Sequence, residues 1–336
     1  MINYSNMQHI THIHNNKHHL DLRWSIIRAI REFFWSLEFQ EVETPHMIAL
    51  PGQEPYLSPM RVSVHDELGE MKQCYLHTSP EYTMKKMLAS GYERIFSICK
   101  CFRDYESFGG QHNPEFTMLE WYRTNTDFVA IMDDIDNLLN YLIKHIEQLK
   151  QLAPVKRVHM RDLWKKIVGV NLDKYLEREQ VLSLCRERGY TPEDPESYED
   201  LFYRIFLNEI EPALQDEGAI IIHHYPAQMA ALSRVSASDP RYAERFELYV
   251  GGVEIANAFS ELTDGAEQQR RLEEEQVLRK QLGKDIYGID SEFIVAVDAM
   301  PESAGIALGV DRLVQVFLNC KNINDVLVLP MKYQKT

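Results

Sequence analysis

Apolar positions in this chain alternate between a helical period and a strand period, and the switches mark out the elements. From Asp21, residues Leu22, Ile26, Ile30, Phe33 and Leu37 fall at spacings of four, four, three and four. That is one apolar stripe, so a helix is expected with Asp21 as its cap. "FQEVETPHM" reads as a strand closed by Pro45, and "YLHTSPEYTMKKMLASG" as a strand, a Ser-Pro helix start and a helix ending at Gly91. "RIFSICKCFR" is a strand that runs into "EFTMLEWYR", where Phe116, Met118, Glu120 and Tyr122 share one face. Residues 128–215 read as mainly helical, after which "AIIIHHYP", "RFELYV" and "VEIANAFSEL" return to strands. A helix is expected from Ala266, with Asp264 and Glu267 spaced as a capping box, and "GIALGVDRLVQVFL" is a strand passing into a last helix. Strands joined by tight turns and long helical excursions predict an α+β fold, an antiparallel sheet with packed helices.

Composition narrows the class. With 336 residues, 45% hydrophobic and 26% charged, the chain has material for a proper core. No stretch approaches the roughly 20 apolar residues of a membrane span, and the N-terminus lacks a signal peptide's apolar core, so a cytoplasmic protein with no membrane partner is expected. Five cysteines without CxxC spacing argue against a disulfide framework or a zinc site and for reduced, structural thiols. The net charge of −15 argues against tight non-specific nucleic-acid binding. "KKM" at Lys85 and the run near Arg270 either contribute to a local basic groove or lie on a solvated helix face. Residues 1–20, with His9, His12, His14, His18 and His19, are expected to be a flexible tail before a catalytic domain at 21–336.

Three stretches carry candidate chemistry. Arg103 ends one strand, and the loop "DYESFGGQHNP" carries Glu106, His112 and the pair Gly109-Gly110 before the face that bears Phe116 and Glu120. This is either a surface hairpin or a loop that closes over a ligand. In "FELYVGGVEIANAFSEL", Gly251-Gly252 is a two-residue hairpin turn that sets Val250 opposite Val253 and Tyr249 opposite Glu254. Glu247 and Glu254 then become diagonal neighbours on one face, about 7–8 Å apart. Such a pair suits Mg2+, which takes one or two carboxylates and leaves positions for phosphate oxygens. Asn257, Phe259 and Glu261 share a face, and joining Glu254's face requires a bulge near Ala256. In "SAGIALGVDRL", Gly309 leads into a helix with Arg312 in its first turn. A helix N-terminus with a guanidinium favours phosphate, and close packing of Gly305 and Gly309 accounts for the glycines equally well.

Together "TSPE", "FR…HNPEFTMLEWY", "RFELYVGGVEIANAFSELTD" and "GIALGVDR" resemble, in order, the signature motifs of class II aminoacyl-tRNA synthetases, most closely the lysyl enzymes. The resemblance covers roughly Asp21 to the C-terminus. It implies an antiparallel catalytic sheet, a homodimer formed through the first helix and the Pro45 strand, and activation of an amino acid with ATP and Mg2+. By position it implies that Arg103 grips the α-phosphate and the substrate carboxylate, Phe116 stacks on adenine, Glu106 and His112 contact the nucleotide, and Gly309 lines its site. Glu247 and Glu254 would hold magnesium, and Arg312 would clamp the γ-phosphate. In the amino-acid pocket, Glu81 would receive the backbone amine, Asn257 would lie near the carboxylate, and Glu120, Tyr122 and Glu261 would surround a side-chain ammonium beside Phe259 and Ala307. Two carboxylates and a phenol suit a cation, so lysine or a lysine isomer such as (R)-β-lysine is the expected substrate.

Departures from the lysyl pattern sharpen the expectation. Only residues 1–20 precede the first catalytic helix, so the anticodon-binding barrel is expected to be absent, with no stable tRNA binding. Ala258 and Ala307 stand where the synthetases usually have glycine, so added methyls are expected in the pocket, and Tyr105 takes the usual Glu position after "FR". The combination resembles the ligases that attach β-lysine to a lysine of elongation factor P. The expected activity is ATP-dependent formation of an aminoacyl-adenylate and transfer to that factor. A tRNA or small-molecule ligase and an inactive synthetase-like regulatory binder are the alternatives.

Overall fold

The computed structural model describes residues 8–193 and 196–334. Eleven strands are present among them: β1 (Gln40–Glu41), β2 (Met47–Ile48), β3 (Arg61–His65), β4 (Met71–Leu76), β5 (Arg94–Phe102), β6 (Glu115–Thr124), β7 (Lys156–His159), β8 (Ala219–His223), β9 (Arg245–Val250), β10 (Val253–Ser260) and β11 (Ser303–Gly309). Eight form one sheet in the order β1-β5-β6-β11-β10-β9-β8-β7, and β2-β4-β3 form a smaller one. The large sheet is antiparallel except at its ends, where β1 pairs with β5 and β7 with β8 in parallel. The α+β expectation holds, with those end pairs as additions and β7 as a strand inside the stretch read as mainly helical.

One face of the sheet is closed by helices Lys17–Ser36, Phe128–His145 and Val310–Phe317. Ile26, Phe34, Ile135, Leu138 and Val314 pack there against Phe96, Trp121, Leu248 and Ile306. A second core lies between helices of residues 160–214 and Ile220, Ile222 and Tyr249 of the opposite face. Smaller clusters beneath helices Glu81–Ala89 and Ser291–Ala299 cover the other flank of that face. The middle of the face stays open, and the site occupies it.

The N-terminal reading needs correction. Residues 1–7 lie outside the described residues, but the chain is helical over Gln8–Asn15 and again from Lys17, so the expected flexible tail 1–20 is structured from Gln8 on. His12 is buried, with its Nε2 2.9 Å from the carbonyl of Leu327, and Leu20 joins the core. Asp21 sits inside the helix, paired at 2.5 Å with Lys17, and caps nothing. Asp264 does cap helix Gly265–Gln281, accepting from the Glu267 amide at 2.9 Å, but the Glu267 carboxylate turns to Arg270 and Arg271 instead of closing a capping box.

A buried ion pair ties the helical layer to the site. Arg23 meets Asp311 at 2.5 Å and donates to the Thr117 hydroxyl at 2.9 Å, while the other Asp311 oxygen accepts the Thr117 amide at 3.0 Å. Neighbouring Arg312 reaches the open side of the sheet, where it meets the carbonyls of Gln111 and Glu254.

Candidate active site

Four central strands, β6, β11, β10 and β9, supply the floor of a cavity of about 360 Å³. Register sets which residues face it. Gly251-Gly252 turns the chain as expected, pairing Val250 with Val253 and Tyr249 with Glu254. The register then shifts between Glu254 and Ala256, which leaves Ile255 as the extra residue of a bulge. Asn257 and Phe259 therefore face the cavity with Glu254, Ile255 and Ala256 border it while packing into the core, and Ala258 lies in the core outside the lining. This corrects one expectation: the Ala258 methyl is core packing, and of the two alanines only Ala307 lines the pocket.

At one end of the cavity lies a cationic group of residues. The Arg103 guanidinium sits 4.9 Å over the Phe116 ring, and its Nε is buried without a hydrogen-bond partner among the described residues. Arg312 donates to the carbonyls of Glu254 at 3.0 Å and Gln111 at 3.2 Å, and lies 3.6 Å from the Glu254 carboxylate. From the loop, His112 Nδ1 lies 2.7 Å from Glu106, whose carboxyl this hydrogen bond holds below its usual range. Glu106 lines the cavity, whereas Tyr105 is 91% exposed with φ of 61°. Gly309 also lines it, with no close neighbour for an added Cβ. Gly305 is the tightly packed glycine of the two.

Glu247 is buried and accepts from Arg245 at 2.7 Å, Tyr225 at 2.6 Å and Tyr249 at 2.8 Å. Three of its roughly four acceptor positions are taken, which orients it rigidly. Burial, and then the Glu247 charge, lift the Glu254 carboxyl above its ordinary range. Glu211, lifted by burial and by Glu247, is a third carboxylate in this field. The chemistry of this donor set, an accessible carboxylate beside a fixed one, fits a hard divalent cation.

The opposite end is acidic. Glu120 is fully buried, held by the hydroxyls of Ser79 at 2.6 Å and Tyr122 at 3.0 Å, and pairs with no cation among the described residues. Burial, reinforced by Glu81, raises its carboxyl well above the ordinary range. Glu81 and Glu261 lie beside it, each 2.6 Å from the ammonium of Lys85. Lys85 is 0% exposed, so it belongs neither to a basic groove nor to a solvated face. The two carboxylates hold it charged against the cost of burial. Arg279 is likewise buried, on the carbonyls of Glu54, Leu57 and Asp285, and Arg270 is paired with Glu267 and Glu274. The Glu261 oxygen turned away from Lys85 has no hydrogen-bond partner among the described residues.

All the residues expected at the site thus converge on one face, with Glu120, Glu247 and Glu261 set behind the lining. Sequence reasoning missed Ser79, Arg245 and the wall formed by Glu54, Glu199 and Glu275. Arg245 was findable, two residues before Glu247 on the same strand face, as was Lys85, four residues after Glu81 on a helix. Glu54 and Glu199 arrive from distant segments without local signal.

Burial raises Glu54, Glu120, Glu199 and Glu275, the last to about 8. Groups raised in the fold bind protons that the unfolded chain has lost, so stability falls as pH rises from about 4.5 through about 8. Glu217 and Glu267, pulled down to about 2 by their cationic partners, act only below that window. His159 and His223, pushed down to about 4 and about 3 chiefly by burial, and His224, lowered likewise, work the other way up to about 6.5. Thermal midpoints are therefore expected to decline between about pH 6.5 and about pH 8. A midpoint that climbs across this range contradicts the burial of unpaired acids.

Comparison with known proteins agrees with this geometry. The model of the family described as tRNA synthetases class II (D, K and N) matches residues 4–333. A Haemophilus influenzae protein named elongation factor P–(R)-β-lysine ligase is 38% identical over 313 residues, covering 93% of this chain and 94% of its own length. Proteins of the same name from Mannheimia succiniciproducens and Haemophilus ducreyi are 38% and 36% identical, covering 92% and 91% of their lengths. No described helix is long and apolar enough to cross a membrane. With its cavity floored by the strands of these motifs and rimmed by the loop and helices that carry the rest, the chain belongs to the class II (D, K and N) tRNA synthetase family, alongside the elongation factor P–(R)-β-lysine ligases.

Proposed function

We propose that this protein activates lysine or (R)-β-lysine with ATP and transfers the aminoacyl group to a lysine side chain of elongation factor P. The observation that carries this reading is Glu120, a fully buried carboxylate held only by neutral hydroxyls, across the cavity from the guanidiniums of Arg103 and Arg312. A buried carboxylate without a counter-charge is costly, and a ligand ammonium relieves that cost. A substrate cationic at one end and joined to a polyphosphate at the other matches the polarity of the cavity.

In the first step the substrate carboxylate attacks the α-phosphorus and pyrophosphate leaves, with no general base needed. Arg103 neutralises charge at the α-phosphate and carboxylate, Arg312 holds the γ-phosphate, Phe116 stacks on adenine, and Glu106, His112 and Gly309 bound the nucleotide. Glu247 and Glu254 would hold Mg2+, which when bound supplies charge neutralisation to the phosphates. Glu120, Tyr122 and Glu261 orient the side-chain ammonium, Glu81 takes the other amine, Asn257 lies near the carboxylate, and Phe259 and Ala307 shape the walls. In the second step the acceptor amine attacks the aminoacyl-adenylate and AMP departs. The half-exposed Trp24 and Trp35 on helix Lys17–Ser36 and exposed Met47 near Pro45 support a homodimer through that face.

The test is one reaction mixture with ATP, magnesium, each lysine isomer, elongation factor P and total tRNA. The factor is expected to gain one lysyl or β-lysyl mass while tRNA stays uncharged on acid gels, and lysine-dependent pyrophosphate exchange is expected without any acceptor. Charged tRNA beside unmodified factor points to the tRNA ligase. An absence of exchange with every isomer points to the inactive binder.

A further inference from the structure

Beside the aromatic floor of the cavity, His77, Cys99 and Cys101 converge on one point. Cys99 and Cys101 are two residues apart on β5 and leave the same face of the strand, where their cross-strand partners are Met118 and Phe116. His77 enters from the segment that follows β4. One ring nitrogen and both sulfurs lie within 4.8 Å of one another, with Cys101 Sγ 3.9 Å from His77 Nε2. His77 Nε2 is also 2.6 Å from the carbonyl of Lys100. A carbonyl can only accept, so Nε2 carries the proton and Nδ1 keeps its lone pair. Nε2 is also the nitrogen nearest Cys101 Sγ, so ligation through it moves its proton to Nδ1 and gives up the bond to the Lys100 carbonyl.

Both thiols are free. Residues two apart on a strand have Cα atoms about 6.6 Å apart, near the upper limit for a disulfide of about 6.8 Å, so this pair is poorly placed to bond to itself and well placed to chelate. A way in exists, because Cys99 borders a cleft with Thr44 and His46 where β5 runs past its short partner β1.

We propose that His77, Cys99 and Cys101 form a binding site for one soft divalent cation of the zinc class, distinct from the carboxylate pair Glu247 and Glu254. Thiolate and imidazole donors select soft ions over magnesium. On binding, the two thiols lose their protons to solvent, the His77 proton passes from Nε2 to Nδ1, and two sulfur–metal bonds and one nitrogen–metal bond form, with one position open. The wide CxC spacing and the distance of His77 in sequence conceal such a site from a search for CxxC pairs. It does not depend on the reaction proposed above.

Cobalt(II) is the probe, because its thiolate charge-transfer absorption is silent at histidine-only sites such as the N-terminal cluster or His159, His223 and His224. Anaerobic titration of the reduced full-length protein is expected to give that absorption, saturating at one equivalent and displaced by zinc. Cys99→Ser and Cys101→Ser should each weaken binding at least about tenfold, and the double variant should abolish the absorption. A variant with Cys74, Cys185 and Cys320 all changed to serine should retain it. No thiolate absorption in the unmodified protein at millimolar cobalt overturns the proposal, as does absorption that survives in the double variant or vanishes from the triple one.

Discussion

Arg103→Ala is expected to abolish lysine-dependent pyrophosphate exchange and, with it, transfer to elongation factor P, while the fold survives. The guanidinium stacks on Phe116 and holds no carboxylate in a hydrogen-bonded pair among the described residues, so its removal strands no buried counter-ion. Its buried Nε, without a partner among the described residues, is a donor waiting at the cationic end of the cavity. Removing a single preorganised donor from a developing negative charge costs about a hundred- to a thousandfold in rate, and this side chain is assigned both the α-phosphate and the substrate carboxylate. Arg103→Lys should rescue little, because an ammonium cannot reproduce the planar fork. Exchange kinetics and intact-mass analysis of the factor, beside a thermal melt of the variant, measure both halves. Exchange within about tenfold of the parent protein removes Arg103 from the chemistry.

Gly305→Ala is expected to destroy amino-acid binding while sparing ATP binding. An added Cβ would lie 2.2 Å from ring carbons of Tyr122 and 2.8 Å from the Glu261 carboxylate. Tyr122 is 2% exposed, packed beneath helix Glu81–Ala89, and has little room to retreat. The methyl must therefore displace the phenol that holds Glu120, the carboxylate beside it, or both. Overpacking of this kind costs about 1–3 kcal/mol in stability. Each charged hydrogen bond lost to the ligand adds about 1.5–3 kcal/mol, so lysine affinity should fall about a hundredfold or more. Calorimetric titration with lysine and, separately, with an ATP analogue decides the matter. Equal losses for both ligands would show a collapsed fold, and unchanged lysine affinity would place the ammonium elsewhere.

Much of the site could be read from the chain because strand geometry is local. Alternation put Phe116, Met118, Glu120 and Tyr122 on one face, and the glycine pair fixed the pairing of Tyr249 with Glu254. The bulge was legible as a condition: Asn257 joins the face of Glu254 only if the strand is irregular near Ala256, and the register does shift there. The surroundings of those side chains were harder. Lys85 reads as a solvated lysine on a helix, and only the meeting of that helix with the end of β10 surrounds it with Glu81 and Glu261. Residues 8–20 read as a polar tail because their histidines carry no helical apolar stripe, yet a carbonyl near the other end of the chain meets the His12 ring.

What the sequence determined by itself was therefore the order of elements, the turn register, the faces of the central strands and, through four ordered motifs, the family. These follow from interactions within a few residues, or from residue identities that depend on no coordinates. The tertiary structure alone decided which charges are paired and which are left over. Lys85 neutralises Glu81 and Glu261, Arg245 neutralises Glu247, and Glu120 is left with hydroxyls only. Which carboxylate lacks a cation depends on the balance between desolvation and distance to partners far away in the chain. That balance exists only once the sheet has closed over its helices.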